Sequence, residues 1–314
     1  MLKSFRLSQY RIILKAKEPI FMPQYSGSTL RGGFGHAFKK IVCTKGLIEC
    51  KNCMLNSVCP YPYVFETSPT DTTTQLRSYS DVPRPFIIDP LETHGNYRPN
   101  ETIEFRFTLI GRGIDYLPYF LVSFSELGEI GIGKGRGRFQ LSEVIADSGS
   151  DKDGRVYSHD TAMVNNLNTA LSFSDINQES DKWSKDQIAL HFQTPTRILN
   201  EGQLSDELPF HVFIQRLIGR ISALSYFHCG ESLEMDFKEF ISKAMQVETI
   251  ESNLYWHDWT RYSNRQDRQM KLGGLLGKIT YKGDLEPFLP FIALGQYTHI
   301  GKNVTFGLGK YCII

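Results

Sequence analysis

The chain repeats one short pattern of residues in its two halves. Asp115-Tyr-Leu-Pro118 and Asp284-Leu-Glu-Pro287 each precede an apolar stretch of helical length, and each stretch leads into a glycine-rich segment with basic residues. Because Asp favours the cap and Pro the first turn of a helix, both patterns predict a helix start. The repeat constrains the fold strongly, since both halves must build the same arrangement of elements.

The predicted elements come in the same order in both halves. Alternating apolar and polar residues predict strands, and apolar residues at helical spacing predict helices. The predicted elements are strand 5–17, helix 28–42, strand 102–110, a helix ending at Leu127 and strand 138–144, then strand 188–199, helix 210–224, strands 248–256 and 272–281, a helix ending near Gly295 and a last strand ending at Ile314. The economical interpretation is two β-α-β-β-α-β units. The predicted fold class is therefore α+β, with two tandem ferredoxin-like domains that each leave one sheet face free, as in RNA-recognition modules.

Composition sets the predicted domain bounds. Residues 146–184 begin with Asp-Ser-Gly-Ser-Asp-Lys-Asp-Gly and stay polar, which is typical of a linker. We therefore predict an N-terminal domain over 1–145 and a C-terminal domain over 185–314. A cysteine-rich insertion at 43–59 follows the first predicted helix.

The charge balance excludes one class of function. Lys and Arg number 35 against 34 Asp and Glu, a formal net charge of +1. This balance does not suit a protein that coats nucleic acid over its whole surface, but it permits a local basic groove. No apolar run approaches the roughly 20 residues of a membrane helix, and the first residues do not resemble a secretory signal. We expect a cytoplasmic protein with no membrane partner.

Two glycine-rich loops occupy equivalent places in the repeat, each after a helix and before a strand. Glycine lets backbone N–H groups approach a phosphate, and neighbouring cations neutralise its charge. The alternative is a tight turn that needs glycine for its backbone angles. Neither loop has the order and spacing of a dinucleotide fingerprint or a P-loop. Because both halves carry the pattern, we predict binding of a phosphate backbone by Gly133, Lys134, Gly135, Arg136 and Arg138, and by Gly301, Lys302, Gly307, Gly309 and Lys310.

The predicted helix 28–42 carries the first candidate catalytic group. Glycines lower helix propensity, so the three in Leu30-Arg31-Gly32-Gly33-Phe34-Gly35-His36 suggest close approach of a backbone or ligand. His36 and Lys40 share a face, where an imidazole can move a proton and an ammonium can stabilise a phosphorane-like charge. Arg31 and Lys39 add positive charge and are candidate contacts for a bound nucleic-acid backbone. The alternative is a partly buried histidine with solvated lysines.

Four of the six cysteines are clustered. Cys43, Cys50, Cys53 and Cys59 supply the four thiolates of a closed structural zinc site, although their spacing is irregular. An iron–sulfur cluster takes the same number of ligands, and unliganded buried thiols are the third alternative. Zinc is the metal we expect, in a structural role.

A further segment mixes aromatic and basic residues. The stretch from Trp256 to Arg268 contains side chains that can stack on bases or bind phosphates, of which the candidates are Arg261, Arg265 and Arg268. An exposed hairpin tip of ordinary polarity explains the stretch equally well. His299, two residues before the second glycine loop, is another titratable group near any phosphate bound there.

Several motifs together resemble a known family. They are Gly273-Gly274-Leu-Leu-Gly277, Thr305-Phe306-Gly307-Leu-Gly309-Lys310-Tyr311, Arg261-Tyr262-Ser263-Asn264-Arg265-Gln266, Leu30-Arg31-Gly32-Gly33-Phe34-Gly35-His36-Ala37 and Cys59-Pro60-Tyr61. The chain resembles the CRISPR precursor-RNA-processing endoribonucleases, the sixth CRISPR-associated family of the RAMP superfamily. The similarity touches most of the chain apart from the polar stretch and is strongest over about its last 45 residues.

The resemblance implies a fold and a chemistry. It implies tandem ferredoxin-like domains and metal-independent cleavage of CRISPR repeat RNA, with no catalytic cofactor and with 2′,3′-cyclic phosphate and 5′-hydroxyl ends. It implies His36 as the general base or acid, Lys40 as the group that stabilises the phosphorane, and Tyr25 as a third member. Because catalytic residues move between subgroups of this family, His299 is the reserve candidate.

The alternatives come from two other classes. A non-catalytic RNA-binding subunit of a CRISPR effector complex would need the glycine loops but not His36. A metal-dependent enzyme built on the cysteines is disfavoured, because four thiolates leave no open position for water. The expected partners are CRISPR repeat RNA and its precursor transcript. An effector complex as partner, and the choice between monomer and homodimer, stay open.

Overall fold

The computed structural model describes residues 1–46, 49–67, 82–91, 95–147, 154–165, 167, 169–263 and 268–314, with the backbone alone at 261–263 and 268–271. They form two compact units. One comprises Ser4–Leu171 with Phe227–Gly230, and the other comprises Met1–Lys3, Ser172–Tyr226 and Glu231–Ile314. Within these described ranges, no helix is long and apolar enough to cross a membrane.

The N-terminal unit is built on one antiparallel sheet. Its elements are β1 (Arg6–Ala16), β2 (Ile20–Phe21), α1 (Gly27–Val42), α2 (Pro60–Phe65), β3 (Phe86–Pro90), β4 (Asn96–Tyr97), β5 (Thr102–Ile110), α3 (Leu117–Ile130), β6 (Phe139–Ala146), β7 (Arg155–Ser158) and β8 (Met163–Val164). The strands run in the order β3-β5-β1-β6-β7-β8. The first four of these strands, with α1 and α3, form the predicted β-α-β-β-α-β unit.

Aromatic residues from both helices fill the core of this unit. Phe34 of α1 stacks on Phe124 of α3, with ring centroids 4.6 Å apart. The same Phe34 ring meets Phe107 of β5 edge-on, so helices and sheet meet at one residue. Phe38, one turn further along α1, is also fully buried. This apolar spacing leaves the opposite face of α1 available to solvent.

The C-terminal unit repeats the arrangement. After β9 (Leu171–Ser172) its elements are α4 (Phe173–Ser180), β10 (Gln187–Thr196), β11 (Leu199–Asn200), β12 (Gln203–Leu204), α5 (Phe210–Leu224), α6 (Phe237–Ala244), β13 (Glu248–His257), β14 (Thr260–Ser263), β15 (Arg268–Lys271), β16 (Gly274–Lys282), α7 (Leu289–Thr298) and β17 (Tyr311–Ile313). The main sheet runs β13-β16-β10-β17 and is antiparallel. The α+β class with two such units is therefore confirmed.

The segment 146–184, for which we predicted a linker, contains ordered elements. Where the structure describes 146–184, it shows ordered elements: β7 extends the N-terminal sheet, and α4 belongs to the C-terminal unit. Val156 and Ile176 anchor these elements, at 2% and 1% exposure. Single apolar anchors in a polar sequence give little periodicity, so composition alone suggested a linker.

The helix starts predicted by the repeat also need correction. Asp115 makes no side-chain cap, and its carboxylate instead accepts a hydrogen bond from Arg6 at 3.1 Å. In the second half α7 begins at Leu289, so Asp284 and Pro287 precede the helix. The structural equivalence is between the Leu-Pro pairs that open α3 and α7, at Pro118 and Pro290. The element repeat stands, but its second copy lies three residues later than the Asp-x-x-Pro pattern indicates.

Candidate functional site

The polar face of α1 presents the predicted histidine to solvent. His36 is exposed, while Phe34 and Phe38 on either side of it are buried. Lys40 is exposed one turn later, so both side chains stand on the outer face of α1. The expectation of a partly buried histidine does not apply to this conformation.

Lys40 is engaged by a neighbouring helix. Its Nζ lies 2.5 Å from Oε1 of Glu126 on α3, and the two side chains are 60% and 26% exposed. An exposed ion pair of this kind contributes roughly 0–1 kcal/mol. A phosphate group can therefore compete with Glu126 for the lysine at small cost.

Helix packing explains two of the three glycines in the motif that precedes His36. A Cβ at Gly33 would lie 2.8 Å from Cδ1 of Leu127, and one at Gly35 would lie 3.0 Å from the Phe65 ring. Gly32 is exposed and has open space around it. At two of the three glycines, therefore, side chains of α2 and α3 make the close approach that the sequence predicted.

The other predicted residues of α1 contact aromatic rings. The Arg31 guanidinium carbon lies 5.1 Å from the Phe65 ring centroid, and Lys39 Nζ lies 5.1 Å from that of Tyr61. Such contacts hold a cation over an apolar surface. Arg31 is half-buried, so its first role here is packing.

Tyr25 lies at the far end of α1 from the histidine. It precedes Ser26, the N-cap residue, and the helix begins at Gly27. His36 lies nine positions after Gly27, a rise of about 13 Å along the helix. Tyr25 therefore does not share the helix turn of His36, and its role as a third catalytic member stays a prediction.

The four clustered cysteines do not form a metal-binding group. Among the described residues there is no set of three or more His, Cys, Asp or Glu side chains placed to hold an ion. Cys43 ends α1, Cys50 opens a 3₁₀ turn, and Cys59 is the N-cap of α2, so separate elements direct these thiols. Burial, reinforced by the Glu66 carboxylate, raises the pKa of the Cys50 thiol. The predicted zinc site and its iron–sulfur alternative are both unsupported, because sequence spacing does not bring these thiolates together.

The first glycine loop docks on the strand β2. Lys134 donates its backbone N–H to the Phe21 carbonyl at 2.8 Å. Gly133 has φ of 76°, and a Cβ there would lie 2.3 Å from the same carbonyl oxygen. Glycine is required here both by the backbone angle and by the contact. The Lys134 and Arg136 side chains remain exposed.

The second glycine loop uses the same construction. Lys302 donates its backbone N–H to the Arg197 carbonyl at 2.9 Å. Gly301 has φ of 88°, and a Cβ there would lie 2.4 Å from that carbonyl oxygen. Phe21 and Arg197 each follow the first strand of their unit. In both units, therefore, the Gly-Lys pair of the glycine loop contacts the chain just after the first strand. No sequence pattern predicts this tertiary contact.

One predicted phosphate contact is already neutralised. Arg138 donates to the Glu18 carboxylate from Nε at 2.9 Å and from Nη2 at 2.6 Å, and its backbone N–H donates to the same group. These bonds lower the pKa of Glu18, and they raise the pKa of Arg138. Of the cations in the first loop, Lys134 and Arg136 are the ones offered to a ligand.

His299 is buried at the end of α7. It is 3% exposed, and its Nδ1 lies 3.3 Å from the Leu308 carbonyl oxygen. Its φ of 55° turns the chain into the second glycine loop. Gly307 and Gly309 are buried in that loop, and the Lys310 N–H donates to Thr194 Oγ1 at 2.9 Å. In this conformation His299 shapes the loop and does not reach solvent, which weighs against it as the reserve catalyst.

The aromatic and basic stretch forms a hairpin. In β14 and β15, Arg261 pairs with Met270, and Arg268 pairs with Ser263. The side chains of both arginines, and the whole of Arg265, lie outside the described residues. Their assignment to RNA stays a prediction.

Comparison with known proteins identifies the family. Residues 5–169, just over half of the chain, match the AF_1859_N family of N-terminal domains, and residues 190–311 match CRISPR-associated endoribonuclease Cas6. An uncharacterized protein of Archaeoglobus fulgidus is 24% identical over 315 residues, which cover 99% of each chain. The chain belongs to the family that carries the AF_1859_N domain, and its resemblance to the CRISPR-associated endoribonuclease Cas6 family is confirmed over residues 190–311.

Solved structures share the fold over the whole chain. A Cas6 product complex is 15% identical and covers 98% of this chain and 99% of its own, with a TM-score of 0.57. Thermus thermophilus Cas6 is 14% identical over 99% of both chains, with a TM-score of 0.55. A partial Cas6-RT-Cas1–Cas2 complex aligns with 99% of this chain and 46% of its own, with a TM-score of 0.58. At these identities the likeness establishes the fold.

Proposed function

We propose that this chain is an endoribonuclease that binds CRISPR repeat RNA and cleaves precursor CRISPR RNA into guide units. The observation that carries the proposal is His36, exposed on the outer face of α1 one turn before Lys40. The match of residues 190–311 to CRISPR-associated endoribonuclease Cas6 supports the reaction class. The product complex of a Cas6 of the same fold agrees with this substrate class.

The proposed reaction is an internal transesterification that needs neither metal nor cofactor. The 2′-hydroxyl loses its proton and its oxygen attacks the adjacent phosphorus in line, while the bond from phosphorus to the 5′-oxygen breaks. The departing 5′-oxygen takes up a proton, so the products are a 2′,3′-cyclic phosphate and a 5′-hydroxyl. His36 acts as the general base or the general acid in this step.

Lys40 stabilises the extra negative charge of the phosphorane. In the RNA-free chain its ammonium is held by Glu126, which keeps it on the same face as His36. When the scissile phosphodiester binds, Lys40 exchanges one weak ion pair for another of equal formal charge, and the new partner gains negative charge as the phosphorane forms. Glu126 then acts as a positioning residue for Lys40.

The RNA backbone is bound by the exposed cations of the glycine loops. Lys134 and Arg136 in the first loop and Lys302 in the second extend from backbones fixed by the Gly-Lys docking. Phosphate contacts of this kind set position and affinity, whereas unpaired bases supply sequence specificity. The arginines of the β14–β15 hairpin remain candidates for further contacts.

A second candidate function is a non-catalytic RNA-binding subunit. The pairing of Lys40 with Glu126 favours it, because the ammonium proposed to assist His36 already has a carboxylate partner. Such a subunit would join a CRISPR effector complex, and we propose that complex as a partner under either function. A homodimer stays a prediction, which the solution mass of the free and RNA-bound protein tests.

Cleavage and binding measured on the same variants separate the two functions. Labelled repeat RNA is incubated in chelator with wild type, His36→Ala and His159→Ala, the last removing an exposed histidine of the same unit. The proposal expects wild type and His159→Ala to cut, and His36→Ala to bind with unchanged affinity while cutting at least 100-fold more slowly. Equal cleavage by all three would remove His36 from the mechanism. Binding without cleavage by wild type would establish the subunit.

A further inference from the structure

A cleft in the N-terminal unit lies beside the first glycine loop. It has a volume of about 900 Å³ and is lined by Pro19, Phe21, Asn96, Tyr97, Arg98, Asn100, Glu101 and Thr102. This size is within the range of small-molecule sites, roughly 300–1,000 Å³. We propose that the cleft binds one unpaired nucleotide of the RNA, with its base stacked on Phe21. The proposal rests on the proposed function and adds a subsite to it.

Phe21 combines a fixed backbone with an exposed ring. Strand β2 pairs with β4 through Phe21 and Asn96, and the Phe21 carbonyl accepts the Lys134 N–H from the glycine loop. Its neighbour Ile20 is fully buried and anchors the strand. Phe21 itself is 51% exposed. An aromatic ring that is carried on a fixed backbone and left open to solvent can serve as a stacking platform for a base.

Polar groups around the ring match the edges of a base. Asn96 and Asn100 are exposed amides on the cleft wall, and each can both donate and accept hydrogen bonds. Asn100 has φ of 74°, which fixes the turn that follows β4. Glu101 accepts the Arg98 backbone N–H at 2.7 Å, so that carboxylate holds the turn together. The amides are thus presented from a structured wall.

Charge near the cleft favours a polyanion over an apolar partner. Arg98 lies on the wall, and Lys134 and Arg136 lie in the adjoining loop, all exposed. None of these three cations forms an ion pair with another residue that the structure describes. The base would stack on Phe21 while the flanking phosphates meet these cations. An apolar peptide would bring no negative charge to pair with these cations.

The test uses the full chain and repeat RNA carrying 2-aminopurine at one unpaired position at a time. Stacking on an aromatic ring quenches this base, so we expect quenching at one position with wild type. Phe21→Ala and Phe21→Leu should lose the quenching and bind the RNA about tenfold more weakly. Phe21→Trp should retain both properties. Phe237→Ala, which removes another exposed aromatic outside the cleft, is the matched control.

The outcomes separate this subsite from the proposed function. Wild-type affinity in Phe21→Ala, with unchanged quenching, would overturn the subsite while leaving the nuclease intact. Full binding by Phe21→Leu would show an apolar contact without stacking and would also overturn it. A wild-type chain that binds no repeat RNA would overturn the proposed function itself. Unchanged thermal unfolding of the Phe21 variants confirms that they fold.

Discussion

In the proposed mechanism, Lys40 has one partner in the free protein and another in the RNA-bound protein. Its partner Glu126 keeps the ammonium on the face of α1 that carries His36. The Lys40 side chain is 60% exposed, so the intrinsic preference of the lysine for Glu126 is small. In the proposed mechanism, loss of the Lys40 charge therefore slows RNA cleavage, whereas loss of the Glu126 charge strengthens RNA binding.

Lys40→Ala should lower the single-turnover cleavage rate by about 100-fold, because it removes a cation from the charged transition state. Glu126→Gln should tighten RNA binding by up to about fivefold, since it frees the lysine at the cost of a surface ion pair. Rates and affinities from rapid quench and filter binding check both. Lys243→Ala and Glu239→Gln, an exposed pair on α6, are the controls. Weaker RNA binding by Glu126→Gln would contradict the exchange of partners.

The basic residues of the first loop are predicted to differ in their effect on salt dependence. Lys134→Ala or Arg136→Ala should each reduce the slope of log affinity against log salt by about 0.7, the value for one phosphate contact on a single strand. Arg138→Ala should leave the slope unchanged, because Glu18 already neutralises that guanidinium. Binding isotherms over a salt series measure the slopes. A loss of slope in Arg138→Ala equal to that in Lys134→Ala would show that RNA displaces Glu18.

Helices and strands were predicted well where their formation depends on the local spacing of apolar residues. The alternation in Thr102–Ile110 and the helical spacing in Phe210–Leu224 gave those two elements with their observed bounds. Apolar periodicity is a short-range property, so it is visible in the sequence. The docking of Gly133 on Phe21 joins residues more than a hundred positions apart and leaves no such trace.

The glycine loop offers a matched pair of substitutions. Gly133→Ala should lower the free energy of unfolding by about 2–3 kcal/mol, because it adds a clash with the Phe21 carbonyl to the strain of a left-handed backbone. Gly135→Ala meets open space at φ of 86° and should cost about 1 kcal/mol from strain alone. Urea unfolding measures both values. RNA affinity should fall more for Gly133→Ala, since it displaces Lys134, and equal effects of the two variants would contradict the docking.

For the molecule as a whole, the sequence predicted the fold of the two units better than it predicted their candidate functional residues. Two copies of β-α-β-β-α-β follow from element order, which a single chain displays. The cysteine spacing supplied enough thiolates for a metal but contained no information on distance. His299 stood beside a glycine loop in sequence, yet its side chain packs inward. Candidate site residues are defined by direction and exposure, which arise only when the units fold.

The balanced net charge of +1 is compatible with local RNA binding. Carboxylates neutralise several cations, as Glu18 does for Arg138, and leave others exposed in the loops. Under the proposed function, a protein built in this way should bind RNA over a limited surface and in a salt-dependent manner. The repeated Gly-Lys docking gives each unit one candidate for such a surface.

The central claim is that the chain cleaves RNA through the substrate's own 2′-hydroxyl. The most direct test is cleavage, in chelator, of a repeat RNA with a single 2′-deoxynucleotide 5′ to the scissile phosphate, beside the all-ribose RNA. The account predicts that the ribose substrate yields a 2′,3′-cyclic phosphate and a 5′-hydroxyl, and that the deoxy substrate binds equally well but stays intact. Cleavage of the deoxy substrate at the same phosphate would contradict the account.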